Sequence, residues 1–197
     1  MAEVPGVPAE GTPYDPNLEG ERVALGPLRR ELVPTYQRWI NDFGTARTLA
    51  VVPRPLTEAQ EIAWFERAAN AEDGASFTVY ERADARAIGI AGLYGIAESR
   101  RAAMFTILIG EAAERGKGLG TDATRLVLDY AFSVFGLERV TLTVAEFNIA
   151  ARRAYGKAGF TEIGRRRAAR WMGGRRWDMV VMECRASARV ATDGACA

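Results

Sequence analysis

The run Arg115-Gly116-Lys117-Gly118-Leu119-Gly120-Thr121 carries the most legible chemistry in the sequence. Three glycines in five positions cost conformational entropy on folding, so the backbone there must come close to something. Gly116, Gly118 and Gly120 leave amide N–H groups unshielded by side chains, where a helix begins and its dipole is positive. With Arg115 and Lys117 beside them, these amides form an anion site suited to a phosphate or pyrophosphate. The spelling excludes two rival loops. The Walker pattern needs four residues between its first glycine and Gly-Lys-Ser/Thr, and the dinucleotide pattern fails because Thr121, not glycine, stands three places after Gly118. The plain alternative is a tight strand–helix connection that happens to use glycine.

What is missing narrows the chemistry further. There is no histidine, which removes Ser-His-Asp and Cys-His nucleophiles, His-ligated zinc and any histidine base. With Cys184 and Cys196 as the two cysteines, neither a disulfide scaffold nor a metal site is expected, and a reducing cytoplasm is the default. The net charge of +1 gives no global pull toward nucleic acid or membrane. No apolar run approaches the roughly 20 residues of a membrane span, and the N-terminal sequence reads as neither a secretory signal nor an anchor. Lys117 and Lys157 are the two lysines among 26 cationic residues.

The elements that must position the loop follow from periodicity. The 197 residues, 48% hydrophobic and 26% charged, suit one globular domain. Residues 1–19, rich in Pro, Gly and Ala, read as a flexible arm, 20–185 as the domain, and 186–197 as a flexible tail. Glu21–Leu28 reads as a strand and Leu32–Phe43 as a helix. Thr57 and Gln60 form a capping box for a helix to about Asn70. Ser76–Glu81, Ala87–Ile96 and Ala102–Gly110 read as antiparallel strands joined by short charged turns. Thr121–Phe135 is a helix stopped by Gly136, Val140–Glu146 a strand, and Asn148 caps a helix ended by Gly159. A hairpin across Gly173-Gly174 closes the domain. The order predicts a mixed α/β layer fold with a largely antiparallel start.

At this point the sequence resembles a known family. Arg115-x-x-Gly118-x-Gly120 matches the phosphate-loop signature of the GNAT N-acetyltransferase superfamily. Asn148, Ala151, Tyr155, Lys157, Gly159 and Phe160 are similar to its N-x-x-A-x-x-x-Y-x-K-x-G-F run, and Glu162 to Met182 looks like its ribosomal-protein-alanine and spermidine acetyltransferase branch. The resemblance covers roughly Glu21 to Glu183. It implies a mostly antiparallel central sheet, splayed at the acetyl-CoA site and flanked by about four helices. It implies that the amides of Gly116 to Thr121, including Leu119, hold the pyrophosphate of coenzyme A. Leu108-Ile109-Gly110 would pair with the pantetheine arm, with Asn148 and Ala151 at the pantetheine, Tyr155 beside the thioester sulfur, and Lys117 and Lys157 toward the phosphates. Acetyl-CoA is the implied acyl donor, and a homodimer is an expectation of the same kind.

Acyl transfer to an amine fits a chain without histidine. A neutral amine must attack, and an alkylamine titrates near pH ~10, so a proton must leave first. Strand-end amides supply donors for the oxyanion. Tyr155, ordinarily titrating near ~10, can protonate the departing thiolate at neutral pH. Glu146, at the strand end beside Asn148, is the leading candidate for the base, with Glu111 and Glu114 as alternatives and a water chain as the case without a single base. The cluster Arg165-Arg166-Arg167, Arg170, Arg175 and Arg176 reads first as a solvated strand face and second as a docking surface for an anionic partner. The sequence thus predicts an acetyl-CoA-dependent N-acetyltransferase of a small-molecule primary amine or a protein N-terminus. The rivals are a ribosome- or nucleic-acid-binding module and a catalytically silent acyl-CoA sensor.

Overall fold

The computed structural model describes residues 14–49 and 53–188. The sheet has eight strands: β1 (Leu18–Glu19), β2 (Val23–Pro27), β3 (Gly74–Glu81), β4 (Arg86–Ala97), β5 (Ala102–Ile109), β6 (Arg139–Ala145), β7 (Thr161–Met172) and β8 (Arg175–Arg185). Their order across the sheet is β1-β2-β3-β4-β5-β6-β8-β7. Every neighbouring pair is antiparallel except β5 with β6. That single parallel pair needs a crossover, and the longest helix supplies it.

The helices are α1 (Val33–Asn41), the short α2 (Phe43–Ala46), α3 (Glu58–Ala69), α4 (Leu119–Ser133) and α5 (Ile149–Ala158). The sequence reading ran the first helix from Leu32 to Phe43 and gave α2 no helix of its own. Asp42 divides α1 from α2: its backbone is extended, and its side chain accepts from the Gly44 amide to start α2. An Asp that can bond the next turn's amides is a better cap than an interior residue. The capping box before α3 forms in both directions, with Gln60 N donating to Thr57 Oγ1 at 3.3 Å and Thr57 N to Gln60 Oε1 at 3.0 Å. Gly159 ends α5 at φ +106°, a left-handed position that any side chain would strain. Gly173 and Gly174, both at positive φ, turn the last hairpin.

Helices cover both faces of the sheet. Leu119, Val127, Leu128 and Ala131 of α4 pack with Val23, Val79, Ile88 and Val140 of the sheet in the larger core. Tyr36 and Trp39 of α1 form a second core with Leu28, against which α3 and Ile90 and Leu108 of the sheet pack.

Residues 14–19, assigned from composition to the N-terminal arm, make specific contacts. Leu18 pairs with Leu25, Asn17 N donates to Leu25 O at 2.8 Å, and the Tyr14 ring stands edge-on to Tyr80 at 5.3 Å. The rest of that arm, residues 1–13, and of the tail, 189–197 with Cys196, lie outside the described residues.

Candidate active site

β5 and β6 part company early. Their pairing runs from Ala102↔Arg139 to Met104↔Thr141 and stops there. Beyond that point Phe105 to Ile109 on one side and Leu142 to Val144 on the other line a cavity of about 410 Å³. The edge of β5 that faces β6 therefore has backbone groups with no strand opposite them, the arrangement into which an extended ligand can hydrogen-bond. This is the splay expected of the sheet. Leu108 and Ile109 border it as the sequence reading proposed.

The glycine loop closes one end. Arg115, Gly116, Gly118, Gly120 and Thr121 line the cavity. Gly116 stands at φ +77° and Gly118 at +90°, conformations in which a Cβ is disfavoured. Gly118 is the N-cap of α4 but offers no capping side chain, and Arg22 Nη1 steadies the loop by donating to Lys117 O at 2.5 Å. The first amides of a helix lack intrahelical acceptors. Here Thr121 N turns back on Gly118 O at 2.9 Å, while the amides of Gly116 to Gly120 have no acceptor among the described residues. Those unshielded donors at a helix N-terminus fit a pyrophosphate; the Thr121 amide, already bonded to Gly118 O, is not among them.

At the other end, Asn148 caps α5 by accepting from Ala151 N at 3.2 Å, and its Nδ2 donates to Thr48 O at 3.4 Å. Asn148, Ala151, Tyr155 and Lys157 all border the cavity, successive members two to four positions apart. The Tyr155 ring is held edge-on by Phe105 at 6.1 Å and Phe160 at 5.9 Å. Burial pushes its hydroxyl up to about 12, so at neutral pH it is a proton donor.

Four of the expected site residues do not border the cavity, although the Lys117 and Leu119 amides are among the loop's unshielded donors. Gly110 is there for packing: a Cβ on it would lie 2.1 Å from the Trp39 ring, and its amide donates to Ile88 O at 2.8 Å. The Leu119 side chain is buried in the larger core. Lys117 donates to Glu114 Oε2 at 2.9 Å instead of standing free for phosphate. Glu146 belongs to the β6–β8 edge. Its backbone N donates to Asp178 O at 3.0 Å, and its Oε1 accepts from Asp178 N at 3.1 Å. The ladder between β6 and β8 ends at Ala145 and Met179, and Glu146 extends it with a side chain.

The other acidic candidates are also engaged. Glu111 accepts from Trp39 Nε1 at 2.8 Å and pairs with Arg38, which holds its carboxyl below the usual range. Glu114 is buried between Lys117 and Arg86, each at 2.9 Å, and Lys117 first and Arg86 next hold it low. Arg115 turns onto the end of β5, donating to Ile109 O at 2.9 Å and Gly110 O at 3.0 Å.

A second cavity, of about 800 Å³, lies between α1, α3 and the β4–β5 face of the sheet. Leu49, Thr106 and Leu108 border both cavities, so the two meet at β5. Tyr36 and Trp64 line this cavity, and Trp39 packs beside Tyr36 in the core behind it. Sequence reasoning missed Glu61, which lines the cavity and is 4% exposed. A charged residue at an inward position of an amphipathic helix was the available signal. The arginine hairpin is largely solvated, as its first reading held. Arg165 pairs with Glu162, Arg175 stacks 3.4 Å from the Trp177 ring, and Trp171 is 69% exposed. Arg170 differs: it reaches across to the Leu49 and Arg47 carbonyls and pins the loop between the cavities.

Comparison with known proteins agrees with this geometry. The chain is 38% identical over 91 residues to the probable N-acetyltransferase YjcK of Bacillus subtilis (strain 168), a match spanning 45% of this chain and about half, 49%, of that protein. It is 27% identical over 160 residues to human alpha/beta-tubulin-N-acetyltransferase 9, covering 74% of this chain and 75% of that one. Among solved structures, the spermidine N-acetyltransferase of Vibrio cholerae, in complex with CoA and spermine, superposes with a TM-score of 0.79 at 24% identity, over 86% of this chain and 98% of that one, and so shares its fold. Residues 22–161 match the acetyltransferase (GNAT) domain. That match runs from the loop before β2 to the first residue of β7 and takes in every strand and helix that borders the gap, so the chain belongs to the GNAT acetyltransferase family.

Proposed function

We propose that the protein moves the acetyl group of acetyl-CoA directly onto a primary amine, of a small molecule or a protein N-terminus, without a covalent enzyme intermediate. The observation that carries this reading is the opening of β5 from β6 beneath the glycine loop, with Tyr155 on its wall. The unshielded amides of Gly116 to Gly120 suit the pyrophosphate, and the open edge of β5 suits the pantetheine. The amine nitrogen attacks the thioester carbonyl, the C–N bond forms, and the C–S bond breaks. Tyr155 gives its proton to the leaving thiolate and is reprotonated from solvent. The amine's own proton goes to water, since Glu146 is held on the Asp178 amide.

The activities of the relatives support amine acceptors. Spermidine N(1)-acetyltransferase of Escherichia coli (strain K12) is 37% identical to this chain over 81 residues, 43% of that protein. A polyamine-like acceptor is therefore part of the reading. So is a reducing cytoplasm, in keeping with the buried Cys184. Among the described residues no helix is long and apolar enough to cross a membrane.

The test is an acceptor panel of polyamines, amino sugars, amino acids and N-terminal peptides, with acetyl-CoA and free-thiol detection. Thiol release matched by acetylated product is expected for at least one amine. Release no faster than acetyl-CoA hydrolysis across the panel would overturn the reading.

A further inference from the structure

The second cavity holds a carboxylate with nothing to bind. Glu61 sits in the first turn of α3, on the face where Phe65 and Ala68 pack inward. It is 4% exposed, and among the described residues its carboxylate has no hydrogen bond and no ion pair. Burial alone pushes its carboxyl up, with no neighbouring charge opposing it. The other charged groups in the cavity wall are Arg54 and Arg67, both exposed and unpaired with it. Apart from Gln60 and Thr106, the rest of the wall is apolar and aromatic, including Tyr36, Leu56 and Trp64. Burying a carboxylate without a partner is costly, and such groups persist where a ligand completes them.

Position says which ligand. The cavity reaches Thr106 and Leu108 of β5, which also border the inter-strand gap. An acceptor entering here presents one end to the gap and leaves the other beside Glu61. The reacting nitrogen must be neutral to attack, whereas a carboxylate in an apolar site holds an ammonium protonated. Glu61 therefore suits a nitrogen that does not react. Aromatic rings at Tyr36 and Trp64 favour the same cation.

Resting on the amine-acetyltransferase reading above, we propose that Glu61 binds a second, non-reacting ammonium of the acceptor and so selects diamines over monoamines of equal length. The test measures binding calorimetrically to protein saturated with CoA, using pentanediamine and pentylamine. Glu61→Gln keeps the shape and removes the charge; Glu61→Asp keeps the charge. Thermal melting of each variant verifies that it is folded. The wild type should bind the diamine at least about tenfold more tightly than Glu61→Gln, as expected for loss of one partner of a buried charge pair. Pentylamine binding should be the same in both, and Glu61→Asp should recover part of the diamine affinity. Equal diamine binding in wild type and Glu61→Gln, equal loss for both amines, or no diamine preference in the wild type would each overturn the proposal. Thiol release separates the two readings. Glu61-dependent diamine binding without transfer to any amine defeats the activity alone, and transfer with Glu61→Gln as selective as wild type defeats the Glu61 assignment alone.

Discussion

At the residue scale the proposed transfer depends on Tyr155. Its ring is fixed by Phe105 and Phe160, and its hydroxyl, pushed up to about 12 by burial, stays protonated across the working range. Replacing it with phenylalanine keeps the ring contacts and removes the proton. Tyr155→Phe should lower kcat by about 10- to 1000-fold with little change in acetyl-CoA binding, because general acid catalysis is worth roughly 10²–10⁴. Steady-state kinetics with one slow amine, alongside a binding titration, separates the two quantities. An unchanged kcat would mean that the thiolate leaves unaided and that Tyr155 serves only to pack α5 against β5.

At the element scale the glycine loop is held by a buried carboxylate. Glu114, in the turn between β5 and α4, ties Arg86 at the start of β4 to Lys117 in the loop. Lys117 first and Arg86 next hold its carboxyl low. In the acid range the unfolded chain then binds the proton that the folded chain refuses. The resulting stability is present above the ordinary carboxylate range and is lost as pH falls through the depressed value. Glu114→Gln should therefore lower Tm at neutral pH. The difference from wild type should shrink steadily in acid, where Glu114 is itself protonated. Melting curves from neutral pH down to the acid limit of the fold measure this, and a Tm gap that does not depend on pH would assign the loss to packing instead of charge.

At the scale of the whole molecule the sheet is two blocks, β1–β5 and β6–β8, joined by the three-residue β5–β6 pairing and by the α4 crossover. A ligand lying in the gap completes the sheet between them. Acetyl-CoA should raise Tm, since a ligand that binds only the folded state stabilises it by about 2.7 kcal/mol at a hundred times its Kd. Gly118→Val should abolish that increment. The substitution puts a branched side chain at φ +90°, where a Cβ meets Arg22 Nη1 at 3.3 Å, and covers an amide of the loop. The strain costs about 1–2 kcal/mol, so the variant melts earlier but remains folded. A full acetyl-CoA increment in folded Gly118→Val protein would remove the loop from the binding site.

The local features were legible in the sequence because their causes are local. The capping box at Thr57 and Gln60, the Asn148 cap, the Gly159 stop and the Gly173-Gly174 turn each follow from a few neighbouring residues, and all are formed. The strand–glycine loop–helix junction was equally readable, since positive φ and unshielded amides are properties of the glycines themselves. The direction and engagement of side chains were not legible. Whether Glu146 faced the gap depended on how β6 ends against β8, a contact 32 residues away in sequence, and the Asp178 amide claimed it. Lys117 looked like a phosphate ligand until Glu114 and Arg86 were brought beside it by the turn of β5 and the start of β4. Gly110 looked like part of the strand end that meets the ligand, and Trp39, 71 positions earlier, gives it a packing reason. For Glu61 the sequence held one local signal, a charge at an inward position of α3, and that alone does not mark a carboxylate as buried. Only the closure of α1 and α3 over β4 and β5 takes it out of water and sets it in the wall of the cavity that adjoins the inter-strand gap.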